Sequence, residues 1–328
     1  MSSSPDRRAV PRYVAGRLAQ AAVVVWAAFT VVFAIQRLVP GDPVELMLSG
    51  RNGFEAVPPE DVARVRAELG FDRPVAVQYL DAAVSAVRGD FGASIQTGRP
   101  VAAMLAEALP ATLTLGLTAL ALSVAAGTLL AVAANLPHGG ALRALPGLAV
   151  SLPSFLVGLV LIQLFALRWP LLPSLGGSGL PGLVLPACTL AIPGAALVAQ
   201  VLGRSLAETL REPYCETLRA TGASTVRVVL RHGLRNAAIP AVTVAGVLTG
   251  GLIGGAVVVE TVFSRQGVGR IVQFAVSTQD LPVVQGVVVV AAVGFAGVNL
   301  AVDLLYPVLD PRVRTVRRPS GALRAVKA

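Results

Sequence analysis

Residues 212–240, EPYCETLRATGASTVRVVLRHGLRNAAIP, hold the polar groups most telling about what this chain can do. Glu216 is followed six residues later by Gly222, and then come His232, Leu234, Arg235, Asn236 and Pro240. Glu216, a turn-permitting glycine and a run of cations compose neither an acid–base pair nor a metal set. They suit contact with another surface. Elsewhere the reagents of catalysis are missing. An ATP-hydrolysing chain needs a lysine in G-x-x-x-x-G-K-[ST], whereas the single lysine here is Lys327, in the carboxyl tail. His138 and His232 have no carboxylate pairing or metal spacing, and no G-x-S-x-G elbow occurs. Cys188 and Cys215 offer no disulfide framework and read as two isolated thiols. No catalytic, cofactor-binding or metal-binding residue is expected.

The elements that must carry the polar loop follow from composition. Hydrophobic residues make up 55% of the chain, charged residues 14%, and mean hydropathy is +0.73. Soluble domains are about a quarter charged, so the chain belongs with membrane proteins. The net charge of +9 does not indicate nucleic acid. Aromatics are 5%, and no basic stretch is interleaved with aromatics as a single-strand platform requires.

Six apolar segments match the roughly 20 residues of helix that cross a hydrocarbon core. They run over Leu18–Leu38, Ala111–Ala134, Ala144–Leu167, Gly182–Leu202, Ile239–Val259 and Val283–Leu305. The chain thus divides into a tail (1–17), a first span (18–38), an insertion (39–110), a core of five spans (111–308) containing the polar loop 204–238, and a second tail (309–328). The expected class is an all-α polytopic membrane protein. Pro110, Pro146, Pro181, Pro240 and Pro282 stand near span starts, where a missing N–H has no partner to lose. Pro153, Pro186 and Pro193 lie inside spans and predict kinks. The first span follows basic residues like a signal peptide, but its apolar core is too long for one and predicts an uncleaved helix. The Arg7-Arg8 pair is a weak twin-arginine match.

The insertion holds ten of the 18 acids and reads as water-soluble. One helix is expected after Pro58-Pro59, with Glu60 and Asp61 favouring its dipole and Val62, Val65 and Leu69 as its stripe. A second is expected from Pro74, with Val75, Tyr79, Leu80, Ala83, Val84 and Val87 on one face. Basic residues cluster in the amino tail (Arg7, Arg8, Arg12, Arg17), at Arg143, in the polar loop (Arg204 to Arg235) and in the carboxyl tail. That places both termini and the loop in the cytoplasm and the insertion outside.

Ion-coupled carriers place titratable groups or broken helices near the midplane. The central portions of these spans carry no carboxylate; Asp303 and Glu260 lie at span ends. An external energy source is the simpler reading, with a channel also open on this ground. Gly246, Gly250 and Gly254 recur every four residues in the fifth span, as do Gly251 and Gly255, a spacing that lets helices approach closely, within one subunit or across an interface or pore. In the loop, residues 205–221 read as a helix continuing the fourth span, Gly222 as its break and Ser224 as the cap of a second short helix. That helix carries Val226, Val229 and Leu230 on one side and exposes Arg227 and Arg231. A helix–Gly–helix with an apolar face exceeds what orientation requires, and predicts docking.

The loop resembles the cytoplasmic EAA loop of ATP-binding-cassette importer permeases of the dipeptide/oligopeptide/nickel family. The same order of signatures continues elsewhere: Pro40-Gly41-Asp42-Pro43 after the first span, LGFDRPVAVQYLDAAVSAVRGDFGASI in the insertion, then VVVETVFSRQGVGR, DLPVVQG and NLAVDLLYPVLDPRVR. The likeness covers roughly residues 13–314. Thr217 and Leu218 stand where the family has alanines, and Arg265-Gln266 where it has Trp-Pro. The resemblance implies a type I importer permease fold and a coupling site at Glu216, Arg219, Ala220, Thr221, Gly222, Ala223, Ser224 and Arg227. It implies a second homologous permease subunit, two ATPase subunits that bind ATP and Mg, and an extracytoplasmic solute-binding protein. Short peptides are the implied cargo; nickel chelates, glutathione or another small solute are alternatives, and an ion-coupled carrier or channel is a distant one.

Overall fold

The computed structural model describes residues 9–38, 44, 48, 58–68, 70–177 and 179–309, almost all of them in helices. The Pro40–Pro43 signature, Arg7, Arg8 and the carboxyl tail with Lys327 lie outside the described residues. α1 is Ala9–Leu38, and the insertion carries α2 (Pro59–Glu68) and α3 (Val75–Val87). α4 is Val101–Ala134. α5 (Gly139–Ser151) and α6 (Ser154–Arg168) form a bent pair, and α7 is Pro181–Thr209. α8 is Pro213–Ala220. α9 is one continuous helix made of Thr225–Arg227, a wider i→i+5 stretch Val228–Gly233, and Leu234–Val262. α10 (Val268–Ser277) and α11 (Leu281–Leu309) follow.

Among the described residues, five helices are long and apolar enough to cross a membrane, or six if the bent pair is one span. That pair bears out the kink expected at Pro153 and corrects the third expected span from a kinked helix to a broken one. Ala144–Leu167 is not one rod but two helices turned by 105°. Pro153 disfavours a helical conformation at the residue before it, and Leu152 is extended at φ −88, ψ 126. Pro110 and Pro240 also differ from expectation, since both lie inside helices rather than at their starts. α4 begins nine residues before Pro110 because Val101, Leu105 and Ala108 are themselves buried, against Val268, Val283 and Val287.

Among the described residues, three apolar clusters stack along the bundle. At the end bearing the polar loop, Ala131, Leu202, Leu206, Val229 and Ala237 join α4, α7 and α9. In the middle, Leu115, Ala119, Leu190, Leu252 and Val259 join the same helices. At the insertion end, α4 packs on α10 and α11. α7 is the central helix, with 61% of its apolar window buried, whereas α1 is peripheral at 6% and rests on α11. Ser123 cross-links α4 to α7 by donating to the Ala191 carbonyl at 3.0 Å, a hydrogen bond lipid cannot supply.

Candidate functional site

The polar loop is a compact helix–turn–helix folded back on the bundle. α7 ends at Thr209 rather than running on to Thr221, because Pro213 removes the N–H that would continue it and starts α8. At the far end of α8, Ala223 N–H reaches the Leu218 carbonyl and Gly222 N–H the Arg219 carbonyl, each at 3.0 Å. This pair of bonds is a Schellman turn, and Gly222 occupies its left-handed position at φ +88. Ser224 then caps α9, its Oγ accepting from Arg227 N–H at 3.4 Å. The expected break and cap therefore stand where the sequence placed them. The second helix is not short, however: it is the start of α9.

The loop's own anchors differ from those expected. Glu216 is exposed and bonds to no described residue. Cys215 is fully buried, its thiol directed at the Thr209 carbonyl at 3.4 Å. Arg219 donates to the Leu210 carbonyl at 3.3 Å, and Asn236 Nδ2 donates to the Tyr214 hydroxyl at 2.9 Å, tying α8 to α9. Val229 faces inward at 0% exposure with Val228, while Val226 and Leu230 face out at 49% and 50%. The expected Val226–Val229–Leu230 face is thus split. Thr221, Gly222, Arg227 and Arg231 are exposed, as is Ala220, and Ala223 is half-buried. What projects from the bundle is a polar elbow with Glu216, Arg219, Val226, Arg227 and Leu230 on its surface.

The glycine stripe of α9 also divides. Gly246 is buried; a Cβ at Gly250 would overlap the Phe295 ring of α11, and one at Gly255 would sit 2.7 Å from Leu190 Cδ1. Gly251 and Gly254 are exposed and face open space. Gly250→Leu will therefore force α9 from α11, with overpacking of about 1–3 kcal/mol read as a lower melting midpoint in detergent. Gly254→Leu will leave that midpoint unchanged; loss of uptake there reports a neighbour outside this chain. Equal melting of both variants removes the packing role of Gly250. At Gly182, near the start of α7, a Cβ would likewise run into its surroundings, at the Gly177 carbonyl.

Two buried carboxylates organise the opposite end. Glu260 is 0% exposed and accepts from the Thr112 hydroxyl at 2.6 Å and Gly269 N–H at 2.7 Å. Thr112 Oγ in turn accepts from Val268 N–H at 2.9 Å. A Cβ at Gly267 would fall on the carboxylate, which accounts for glycine there. Asp280, 1% exposed, accepts from the Ser94 hydroxyl at 2.5 Å and Ile95 N–H at 3.1 Å, stitching the insertion to the α10–α11 turn. Arg265 Nη1 donates to the Gly182 carbonyl at 3.4 Å, and its buried Nε has no partner among the described residues. The sequence placed Glu260 at a span end without a role and did not single out Asp280. The available signal was the adjacency of each to glycine- or serine-bearing segments.

Comparison with known proteins accords with this geometry. Residues 123–315 match the family described as binding-protein-dependent transport system inner membrane component, and residues 10–116 match the N-terminal part of such components. A probable peptide ABC transporter permease protein of Sinorhizobium fredii is 36% identical over 314 residues, covering 92% of this chain and 99% of the relative. The glutathione transport system permease protein of Escherichia coli is 36% identical over 306 residues, covering 92% of this chain and 98% of the relative. A multi-pass helical bundle, a projecting helix–glycine–helix elbow and matches along nearly its whole length make this chain a member of the binding-protein-dependent transport system inner membrane components, a permease subunit of such a system.

Proposed function

We propose that this permease imports short peptides by alternating access, driven by ATPase subunits that dock on the elbow around Gly222. The elbow carries the reading. It is tied to the bundle by Cys215, Val229 and the Tyr214–Asn236 bond, yet leaves Glu216, Arg219, Arg227 and two apolar side chains uncovered. Two such ATPase subunits would hold ATP and Mg; this chain binds neither. A second, homologous permease subunit completes a heterodimeric path, and an extracytoplasmic solute-binding protein delivers the cargo. Both termini and the elbow face the cytoplasm in this arrangement, by the distribution of arginines. Peptide cargo is supported by the relatives named for peptide and glutathione transport.

The test is uptake of labelled di- and tripeptides by the full complex in liposomes with a proton ionophore present. Uptake is expected to require ATP on the side from which an impermeant thiol reagent reaches a cysteine placed at Arg227, and to survive the ionophore. Uptake by this chain without an ATPase, or its abolition by ionophore while ATP remains, overturns the reading.

A further inference from the structure

We propose that α3 is a membrane-interfacial helix whose apolar arc lies in the lipid leaflet at the insertion end. The sequence reads the insertion as water-soluble, and three observations point elsewhere for this segment.

The first is depth. Gln36 Nε2 donates to the Leu281 carbonyl at 2.9 Å, so the first turn of α11 is level with Gln36 of α1. At the other end Arg17 of α1 and Asn299 of α11 line one groove. From Arg17 to Gln36 is about 28 Å of helix and from Leu281 to Asn299 about 27 Å, at roughly 1.5 Å per residue. Both match a hydrocarbon core of about 30 Å, so Gln36 and Leu281 mark one boundary of it. Thr30 then lies about 9 Å inside. The Tyr79 hydroxyl of α3 hydrogen-bonds Thr30 Oγ at 2.7 Å, and its ring packs 5.6 and 5.3 Å from those of Phe29 and Phe33. A tyrosine reaches only one side-chain length from its backbone. The axis of α3 is held at the boundary, not above it in water.

The second is the division of the helix surface. At 100° per residue, Val75, Ala82 and Ala86 share the arc of Tyr79, which turns to α1; Val75, in the first turn, is 54% exposed. Gln78, Asp81, Ser85 and Arg88 form a polar arc. Between them Val77, Leu80, Val84 and Val87 form a third, apolar arc, exposed at 39%, 61%, 50% and 89%. No residue of α3 is buried. The polar arc is already in use at the surface, with Gln78 bonded to Arg37 and to the Phe71 and Arg73 carbonyls, and Asp81 paired with Arg73. A helix with one polar arc and a contiguous apolar remainder is the pattern that lies in the plane of an interface.

The third is continuity. Val23, Trp26, Val31 and Ile35 of α1 are exposed at 53–60% on a helix that spans the bilayer. The uncovered arc of α3 extends that lipid-facing surface to the headgroup level. Anchored in this way, α3 would hold the insertion flat against the membrane and give the peripheral α1 its second neighbour besides α11.

The experiment uses the full chain, with Cys188 and Cys215 replaced by alanine, in vesicles of phosphatidylethanolamine and phosphatidylglycerol. Single nitroxide labels go at Leu80 and Val84, and as references at Asp81 and Ser85. Collision with dissolved oxygen is compared with collision with a water-soluble nickel chelate. The oxygen-to-nickel ratio is expected to be several-fold higher at 80 and 84 than at 81 and 85. Equal ratios overturn the proposal in favour of water, and protection of 80 and 84 from both quenchers overturns it in favour of a protein partner. Neither readout depends on ATP, cargo or sidedness, so its failure is distinct from failure of the transport reading.

Discussion

Glu260→Leu will unfold the insertion end of the bundle and lower peptide uptake at least tenfold. The carboxylate is enclosed and serves as acceptor for Thr112 Oγ and Gly269 N–H. Leucine fits the volume but leaves both donors without partners, at about 1–3 kcal/mol each, in a region where water is scarce to replace it. Thr112 also receives Val268 N–H, so the loss spreads to the start of α10. The measurement is the melting midpoint of the purified chain in detergent, beside uptake by the reconstituted complex. Glu260→Gln keeps one acceptor oxygen and is expected to fall between wild type and leucine. A leucine variant that melts with wild type shows that the carboxylate does not hold this end together.

Gly222→Val will leave membrane insertion and melting nearly intact while uncoupling transport. A Cβ at this position meets no atom within 4 Å, so the cost is conformational. A φ of +88 costs an L-residue about 1–2 kcal/mol, and a β-branched side chain more. The Schellman turn would open and swing α8 relative to α9, with a loss of roughly tenfold in docking per 1.4 kcal/mol. Uptake and cargo-stimulated ATP hydrolysis are expected to fall together. Gly222→Asn, which tolerates the left-handed region, should fall less. Glu216→Lys provides the complement, since Glu216 is exposed and its side chain bonds to no described residue. It should spare folding and weaken the ATPase interaction alone. Full ATPase stimulation in both Gly222→Val and Glu216→Lys would remove the elbow as the coupling surface.

Legibility in the sequence tracks the range of the interactions. Gly222 and Ser224 were readable because a Schellman turn and an N-cap are built from neighbours a few residues apart. Five of the six spans were readable because hydropathy summed over a helix is local too. In the third span, residues 144–167, Pro153 signalled a kink from its local chemistry, but hydropathy carries no direction and did not register that the turn reaches 105°. The inward face of Val229 was hidden because the i→i+5 stretch Val228–Gly233 shifts the helical register on which the stripe was counted. Glu260 and Asp280 were hidden more deeply. Their partners Thr112 and Ser94 lie 148 and 186 residues away, and no spacing rule joins them.

The continuity of α9 has a mechanical meaning. It is a shaft of about 57 Å, at roughly 1.5 Å per residue, with the elbow at one tip, tied to its side through Tyr214 and Asn236, and the Glu260 cage fixed at the other. Each degree of tilt about its middle swings either tip by about half an ångström, from the same dimensions. A rotation of ten degrees, imposed where Arg227 sits, would be felt across the bilayer as a sideways stroke of about 5 Å. One unbroken helix thus gears the elbow directly to the Glu260 cage.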